Sequence, residues 1–413
     1  MIRSDIELMA PVGSFESLIA AIQGNADSVY FGVGRLNMRS KSSINFTLND
    51  LKQIIDICNQ NYKKPYLTLN SILYNEDLIE MKEIIDEAKQ AGISAIIASD
   101  ESVLNYSRKK NIELHLSTQL NISNIETVKF YSPYADVMVL ARELSLEQIK
   151  AIISDINNQN IIGPSGKPIQ IEIFAHGALC MAISGKCYLS LHEYNHSANR
   201  GECYQLCRRS YILTDKETNS QIEIDNEYII SPKDLCTINF LDKIIDANIK
   251  VLKIEGRARS PEYVKTVCSC YDQAINAYCE KKFTNENINK WMLKLSEVYN
   301  RGFWDGYYLG KKIGEWSNTY GSKATKKKEY IGKCLNYFTN IKVAEFIVET
   351  GSLKIHDEIL IIGPTSGVIE FKVAEIKTDK ISVNEVKKGE RFSIPLNVFI
   401  RRSDKLFKIT DVN

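Results

Sequence analysis

Short apolar runs rich in β-branched residues recur along the first two-thirds of the chain. Most are followed by a stretch whose apolar positions repeat at helical spacing. Strands are predicted at Ile6–Val12, Ser28–Gly34, Pro65–Asn70, Ala95–Asp100, Glu113–Gln119, Asp136–Leu144, Ile169–Gly177 and Asn248–Gly256. Between them, helices are predicted at Ser14–Gln23, Leu48–Asn59, Asn75–Ala91, Glu101–Lys110, Ser123–Tyr131 and Leu146–Asn157, and Pro261–Glu280 follows the last strand. Strand–helix alternation is the pattern of βα units and a parallel sheet. Eight such strands point to an α/β fold, a closed (β/α)8 TIM-type barrel over 1–300. A second pattern begins at Glu329. Short β-rich runs at Tyr330–Leu335, Ile341–Val348, Glu358–Ile362, Val368–Ile376, Lys380–Val383 and Val398–Arg402 predict a small C-terminal antiparallel β-barrel domain over 329–413. Residues 301–328 read as a basic, aromatic connector.

One connection breaks the rhythm. Between the seventh and eighth predicted strands lie the 70 residues 178–247. A loop leaving the C-terminal end of a barrel strand faces the mouth where such barrels do chemistry, and a loop this long is usually functional.

Cysteine usage marks the same segment. The chain has ten cysteines, and five of them (Cys180, Cys187, Cys203, Cys207 and Cys236) fall within 57 residues. The N-terminus has charged residues and no long apolar run, so no signal peptide is expected. No stretch approaches the roughly 18 apolar residues of a membrane span. The protein is therefore expected in the cytoplasm, where thiols stay reduced and disulfides are rare. Burial as small hydrophobes accounts for Cys58, Cys268, Cys270, Cys279 and Cys334, which sit in helical or strand patterns. It does not account for five in a polar loop rich in Gly, Asn and Arg. Soft thiolates select zinc or iron-sulfur clusters, and the spacing lacks the paired CxxC of a zinc ribbon. With five candidates for four positions, Cys207 is taken as the spare and as the substitute ligand. His176 beside Cys180 offers the alternative of a cysteine-protease dyad, which leaves the other thiols unexplained.

The run Glu172-Ile-Phe-Ala-His-Gly-Ala-Leu-Cys-Met-Ala-Ile-Ser-Gly-Lys-Cys-Tyr-Leu-Ser190 resembles the signature of the collagenase-like peptidase family. Glu7-Leu-Met-Ala-Pro-Val-Gly13, Tyr30-Phe-Gly32, Lys253-Ile-Glu-Gly-Arg257 and Asn300-Arg-Gly-Phe303 resemble the same family. Its better-understood branches are hydroxylation proteins for tRNA uridine or ribosomal RNA cytidine and accessory proteins of anaerobic ubiquinone hydroxylation, and the single small C-terminal domain favours the tRNA 5-hydroxyuridine branch. The resemblance implies a [4Fe-4S] cluster on Cys180, Cys187, Cys203 and Cys236, prephenate as an oxygen-donating co-substrate, and a tRNA anticodon loop as partner. It leaves open a protein partner subunit. Two alternatives stand beside it: peptide hydrolysis, and an accessory RNA- or protein-binding subunit whose cluster is structural.

Charge changes the picture only locally. Lys and Arg (52) balance Asp and Glu (51), so a nucleic-acid site must be a patch. Arg39, Arg142, Arg257 and Arg259 fall at strand ends or βα turns, and the first three are candidates for binding a dicarboxylate or an RNA phosphate. Glu255, Arg257 and His176 are the candidate catalytic residues, with Glu255 able to orient Arg257 or to act as an acid or base. In 301–328, seven basic residues (Arg301, Lys311, Lys312, Lys323, Lys326, Lys327 and Lys328) against Asp305 and Glu315 leave +5. Phe303, Trp304, Tyr307, Tyr308, Trp316 and Tyr320 are interleaved, which suggests a stacking platform for unpaired bases. Arg200, Arg208 and Arg209 add positive charge beside the cysteines.

Overall fold

The computed structural model describes residues 2–41, 45–212, 214–219, 230–310, 314–318 and 321–412. Strands β1 (Glu7–Pro11), β2 (Ser28–Gly32), β3 (Lys64–Leu69), β4 (Ala95–Ala98), β5 (Glu113–Leu116), β6 (Val137–Val139) and β7 (Gln170–Gly177) pair in parallel, each with the next. A short strand β8 (Asp234–Cys236) interrupts the series, and β9 (Val251–Ile254) closes it. Val251 registers with Glu7 of β1 and with Glu172 of β7, both in parallel. The result is a closed eight-stranded parallel barrel, as the alternation predicts. Its short central strands β4, β6 and β9 are buried along their whole length, as expected where a sheet is covered on both faces.

Helices α1 (Phe15–Gln23), α2 (Leu51–Gln60), α3 (Leu78–Ala91), α4 (Glu101–Lys109), α5 (Ile125–Tyr131) and α6 (Leu146–Asn158) follow the first six strands. Local chemistry fixes several starts. The Ser14, Asp100, Asn124 and Ser145 side chains accept from amides of the first turns, and the Gln148 side chain reaches back to the Ser145 amide. Helix α7 (Leu189–Tyr194) lies in the cysteine-bearing insertion, α8 (Leu241–Asp246) precedes β9, and α9 (Pro261–Cys279) packs on α1. Among the described residues, no helix is long and apolar enough to cross a membrane.

The insertion is not one open loop. β8 returns antiparallel along the end of β7, with His176 opposite Cys236, and β10 (Phe303–Trp304) adds to β8 in parallel. This second pairing draws 301–308 onto the barrel. Trp304 and Tyr308 are buried, the Tyr308 hydroxyl donates to the Phe174 carbonyl at 2.9 Å, and the Trp304 indole donates to the Lys233 carbonyl at 3.1 Å. Arg301 pairs with Asp234, Lys326 with Glu358, Lys327 with Glu329 and Lys328 with Glu262. The base-stacking platform expected on 301–328 is therefore not formed by Trp304 and Tyr308, whose rings are spent on barrel packing. Lys311, Lys312 and Tyr320 lie outside the described residues.

The C-terminal part is a separate antiparallel sheet with its own core around Phe346 and Phe392. Strand Lys405–Asp411 lies between Lys326–Phe338 and Glu358–Gly363 in its interior. The strand expected at Val398–Arg402 is instead a bend. Asp404 accepts the Arg401 amide and Ser403 takes a positive φ of 75°, so the chain turns there before the true strand begins. The sheet docks on α1, where the Gln23 amide group bonds the Ser366 carbonyl and the Val368 amide.

Gly13 follows β1 where an added Cβ would lie 2.1 Å from the Arg257 carbonyl oxygen. Backbone on both sides leaves little room to yield. Gly13→Ala is expected to lower stability by about 1–3 kcal/mol, read as a reduced urea midpoint.

Candidate active site

The barrel interior is charged beneath the mouth, where a barrel of this type is ordinarily filled by branched apolar side chains. Lys253 of β9 reaches Glu172 of β7 at 2.7 Å, and its ammonium lies 4.7 Å from the Tyr30 ring centre. His115 of β5 stands 3.8 Å from the other Glu172 oxygen and 3.4 Å from Glu113. Burial alone would depress the His115 pKa, but the two carboxylates hold it up at about 9. Glu172 likewise stays below the usual carboxylate range despite its burial, because Lys253 and His115 face it. Opposite charges thus face one another in this layer, while His115 Nδ1 and Glu172 Oε2 make no hydrogen bond.

Above this layer opens a cavity of about 190 Å³ at the C-terminal ends of the strands. Its lining includes Arg39, Arg142, Arg208, Lys253, Arg257, Arg259 and Arg301, seven cationic side chains, against one carboxylate, Glu255. Glu255 is engaged by Arg39, with contacts of 2.7 and 3.3 Å to a single oxygen. Burial would raise the Glu255 pKa, and Arg39 outweighs it, so the side chain is an anion. Arg257 is only 5% exposed, and its guanidinium donates to neutral partners, Asn37 Oδ1 at 3.1 Å and Thr68 Oγ1 at 2.8 Å. With no carboxylate paired to it among the described residues, burial pulls its pKa down to about 10. Arg142 packs 4.0 Å from the Phe174 ring centre, and its buried Nε has no hydrogen-bond partner. Arg208 donates to Ser231 and to the Leu179 and Pro232 carbonyls. Arg142, Arg208 and Arg257 thus meet no carboxylate among the described residues, and an anion in the cavity would find their positive charge uncompensated.

Four thiols form another wall. Cys180, Cys187, Cys203 and Cys207 all line the cavity. Cys187 senses the charges of Cys180 and Cys203, and Cys207 those of all three. Burial pushes Cys207 up to about 11. Cys236, the fourth ligand expected from the resemblance, stands apart. Lying on β8, it is buried with its sulfur 3.8 Å from the Met292 thioether and near Tyr271, and it does not reach the cavity. The antiparallel return of β8 turns this side chain away from the mouth, whereas Cys207, the spare in the sequence reading, faces it. No group of three or more His, Cys, Asp or Glu among the described residues is close enough to hold a metal ion as the side chains stand.

His176 is also turned away. Its ring is enclosed by Tyr263, Tyr271 and Phe303, with centroids 5.5 to 6.0 Å distant, and Nδ1 lies 3.4 Å from the Tyr271 hydroxyl. It is not among the cavity residues, so it has no position from which to activate Cys180 there. The candidates brought together are thus Arg39, Arg142, Glu255, Arg257 and four of the five thiols. Sequence reasoning missed Lys253, Tyr30, Asn37 and Thr68. For Lys253 and Glu172 a signal existed: opposite charges at interior positions of strands otherwise apolar.

The model of peptidase family U32 matches residues 13–318. The chain belongs to peptidase family U32. The collagenase-like resemblance is thereby borne out. The chain is 56% identical over 405 residues to a protein named collagenase from Porphyromonas gingivalis, covering 98% of both. It is 32% identical over 366 residues to tRNA hydroxylation protein P1 of Bacillus subtilis, covering 87% of this chain and 83% of that one. To tRNA hydroxylation protein P of Helicobacter pylori it is 31% identical over 317 residues, with 74% and 72% covered. The U32 match spans every cavity residue named above.

Burial pushes the His176 pKa down to about 3, so the ring is neutral in the folded chain. In the unfolded chain it takes a proton near its ordinary value of about 6.5. The unfolded state thus binds more protons between these values, and stability present above about pH 6.5 is lost as pH falls toward about 3. Between about pH 7 and pH 4.5, the wild type is expected to lose on the order of 2 kcal/mol more than His176→Gln, measured by urea denaturation.

Proposed function

We propose that this U32 protein is a cytoplasmic RNA-modifying enzyme that replaces the C5–H bond of a tRNA wobble uridine with C5–OH. The observation that carries the reading is a single cavity with a thiol wall and a cationic wall. A peptidase has no evident use for that pairing. The two tRNA hydroxylation relatives support it across most of the chain.

A [4Fe-4S] cluster is the cofactor the donor set suits. Cys180, Cys187, Cys203 and Cys207 come from one insertion and face one space. Arg142 and Arg208, neither paired to a carboxylate among the described residues, meet the negative charge that four thiolates would bring. A cubane spreads its thiolates wider than a single ion does, which is compatible with the lack of a compact metal-ion grouping. When bound, the cluster would supply one-electron chemistry to the cavity. Arg257 and Arg142 would hold the carboxylates of a small dianion, prephenate in this reading, as the oxygen source. Arg39 keeps Glu255 ionised and oriented at the rim. A base already unstacked in an anticodon loop would enter without the cost of leaving a duplex.

The 56% identity to a protein named collagenase favours a second reading, peptide hydrolysis. The two readings separate cleanly. Mass spectrometry of tRNA nucleosides from a deletion strain is expected to show loss of 5-hydroxyuridine derivatives, restored by the wild-type gene. Unchanged levels together with gelatin cleavage by the purified protein would select the peptidase.

The ligand set has its own test. After anaerobic purification, about four irons per chain are expected for the wild type and for Cys236→Ser. Cys207→Ser is expected to lose most of the iron and its visible absorbance. The reverse pattern would return Cys236 to the set.

A further inference from the structure

The cysteine-bearing insertion carries a group of exposed aromatic rings that neither barrel packing nor the thiol wall uses. Tyr188 is 74% exposed, and Tyr194, Tyr204 and Tyr211 are each about two-fifths exposed. Two of them are packed together. The Tyr194 and Tyr204 ring centroids are 5.3 Å apart, and His196 lies 5.2 Å from Tyr204. Arg209 sits 5.6 Å from the Tyr194 ring centre and donates to its hydroxyl at 2.8 Å. Single exposed apolar residues need no explanation, but a contiguous group of rings on a surface marks a binding face.

The group adjoins the cavity directly. Tyr204 lies between Cys203 and Gln205, both of which line it, and the Tyr204 amide is tied to Ser190, another lining residue. The rings therefore form a rim continuous with a cationic mouth. Two acids lie near this face: Glu202, bonded to His196 at 2.8 Å and facing Lys41 at 3.8 Å, and Glu193 beside Arg209.

We infer that the Tyr194–Tyr204–Arg209 face is the platform on which a single-stranded RNA loop stacks its unpaired bases while one nucleotide enters the cavity. The inference rests on the RNA reading above and deepens it by assigning the contact surface. Flat rings beside a guanidinium offer base-sized stacking faces, and the neighbouring cations attract the phosphates between those bases. A duplex keeps its bases stacked inside and cannot use such a face. An uncharged gelatin-like peptide could cover the rings but would gain nothing from the cationic mouth.

The test uses the full chain, purified anaerobically, with a fluorescein-labelled anticodon stem-loop RNA and a fully paired duplex of the same length. Fluorescence anisotropy at one fixed salt concentration gives the affinities. For the double variant Tyr194→Ala/Tyr204→Ala, loop affinity is expected to fall by at least about fivefold, the lower bound for losing one stacked base. Tyr194→Phe/Tyr204→Phe is expected to restore most of it, and weak duplex binding is expected to be the same in all three proteins. Arg209→Ala, at an exposed guanidinium of the same face, gives a second measurement if the double variant melts early, with a loss in loop affinity again expected. Wild-type loop binding that none of the alanine variants weakens would overturn this inference and leave the RNA reading standing. A wild type that binds neither RNA, or one that binds a gelatin peptide through the same tyrosines, would overturn both.

Discussion

The pairing of β9 with both β1 and β7 is the constraint on which the rest of the molecule depends. It closes the barrel across an excursion of some 70 residues, and it holds only because Val251 meets Glu7 on one side and Glu172 on the other. That register puts Lys253 opposite Phe174 in the β7 pairing, within 2.7 Å of the Glu172 carboxylate. It also delivers Glu255 and Arg257 to the mouth, where Gly177 and Gly13 let their backbone carbonyls approach closely. β8 clips the returning insertion to the end of β7, so the insertion is anchored to a strand on which β9 closes the ring.

Charge is handled differently on two levels of the barrel. Below the mouth, opposite charges face one another: Lys253 pairs with one Glu172 oxygen and His115 stands 3.8 Å from the other. At the mouth, Arg257 is held by an amide and a hydroxyl, and Arg142 leaves a buried nitrogen unpartnered. Such an arrangement is poor for stability and good for binding, because a ligand anion supplies what the protein withholds. The same cations stand beside the cysteines, so a small anion and a thiolate-held cluster would share one electrostatic environment.

Much of this was legible in the chain. The eight barrel strands fall where the alternation of patterns put them, because a parallel sheet covered on both faces demands local apolar runs. Arg39, Arg142, Glu255 and Arg257 could be found because strand ends and βα turns are fixed by position along the chain. The C-terminal part was read less well. Its interior strand Lys405–Asp411 is half polar along its length, and the apolar run before it, Val398–Arg402, proved to be a bend shaped by Asp404.

Sequence by itself determined the barrel, the crossover that would carry the chemistry, and the presence of more thiols than a polar loop can explain. Only the tertiary structure decided which thiols face the cavity. Cys207 and Cys236 look equivalent along the chain, but the antiparallel return of β8 points one toward Met292 and leaves the other at the mouth. Exposure of the aromatics was decided there too. Trp304 and Tyr308 are buried and Phe303 and Tyr307 half-buried once β10 pairs with β8, while several rings of the insertion remain exposed. Orientation of a side chain depends on which strand its backbone pairs with, and no local pattern encodes a partner some seventy residues away.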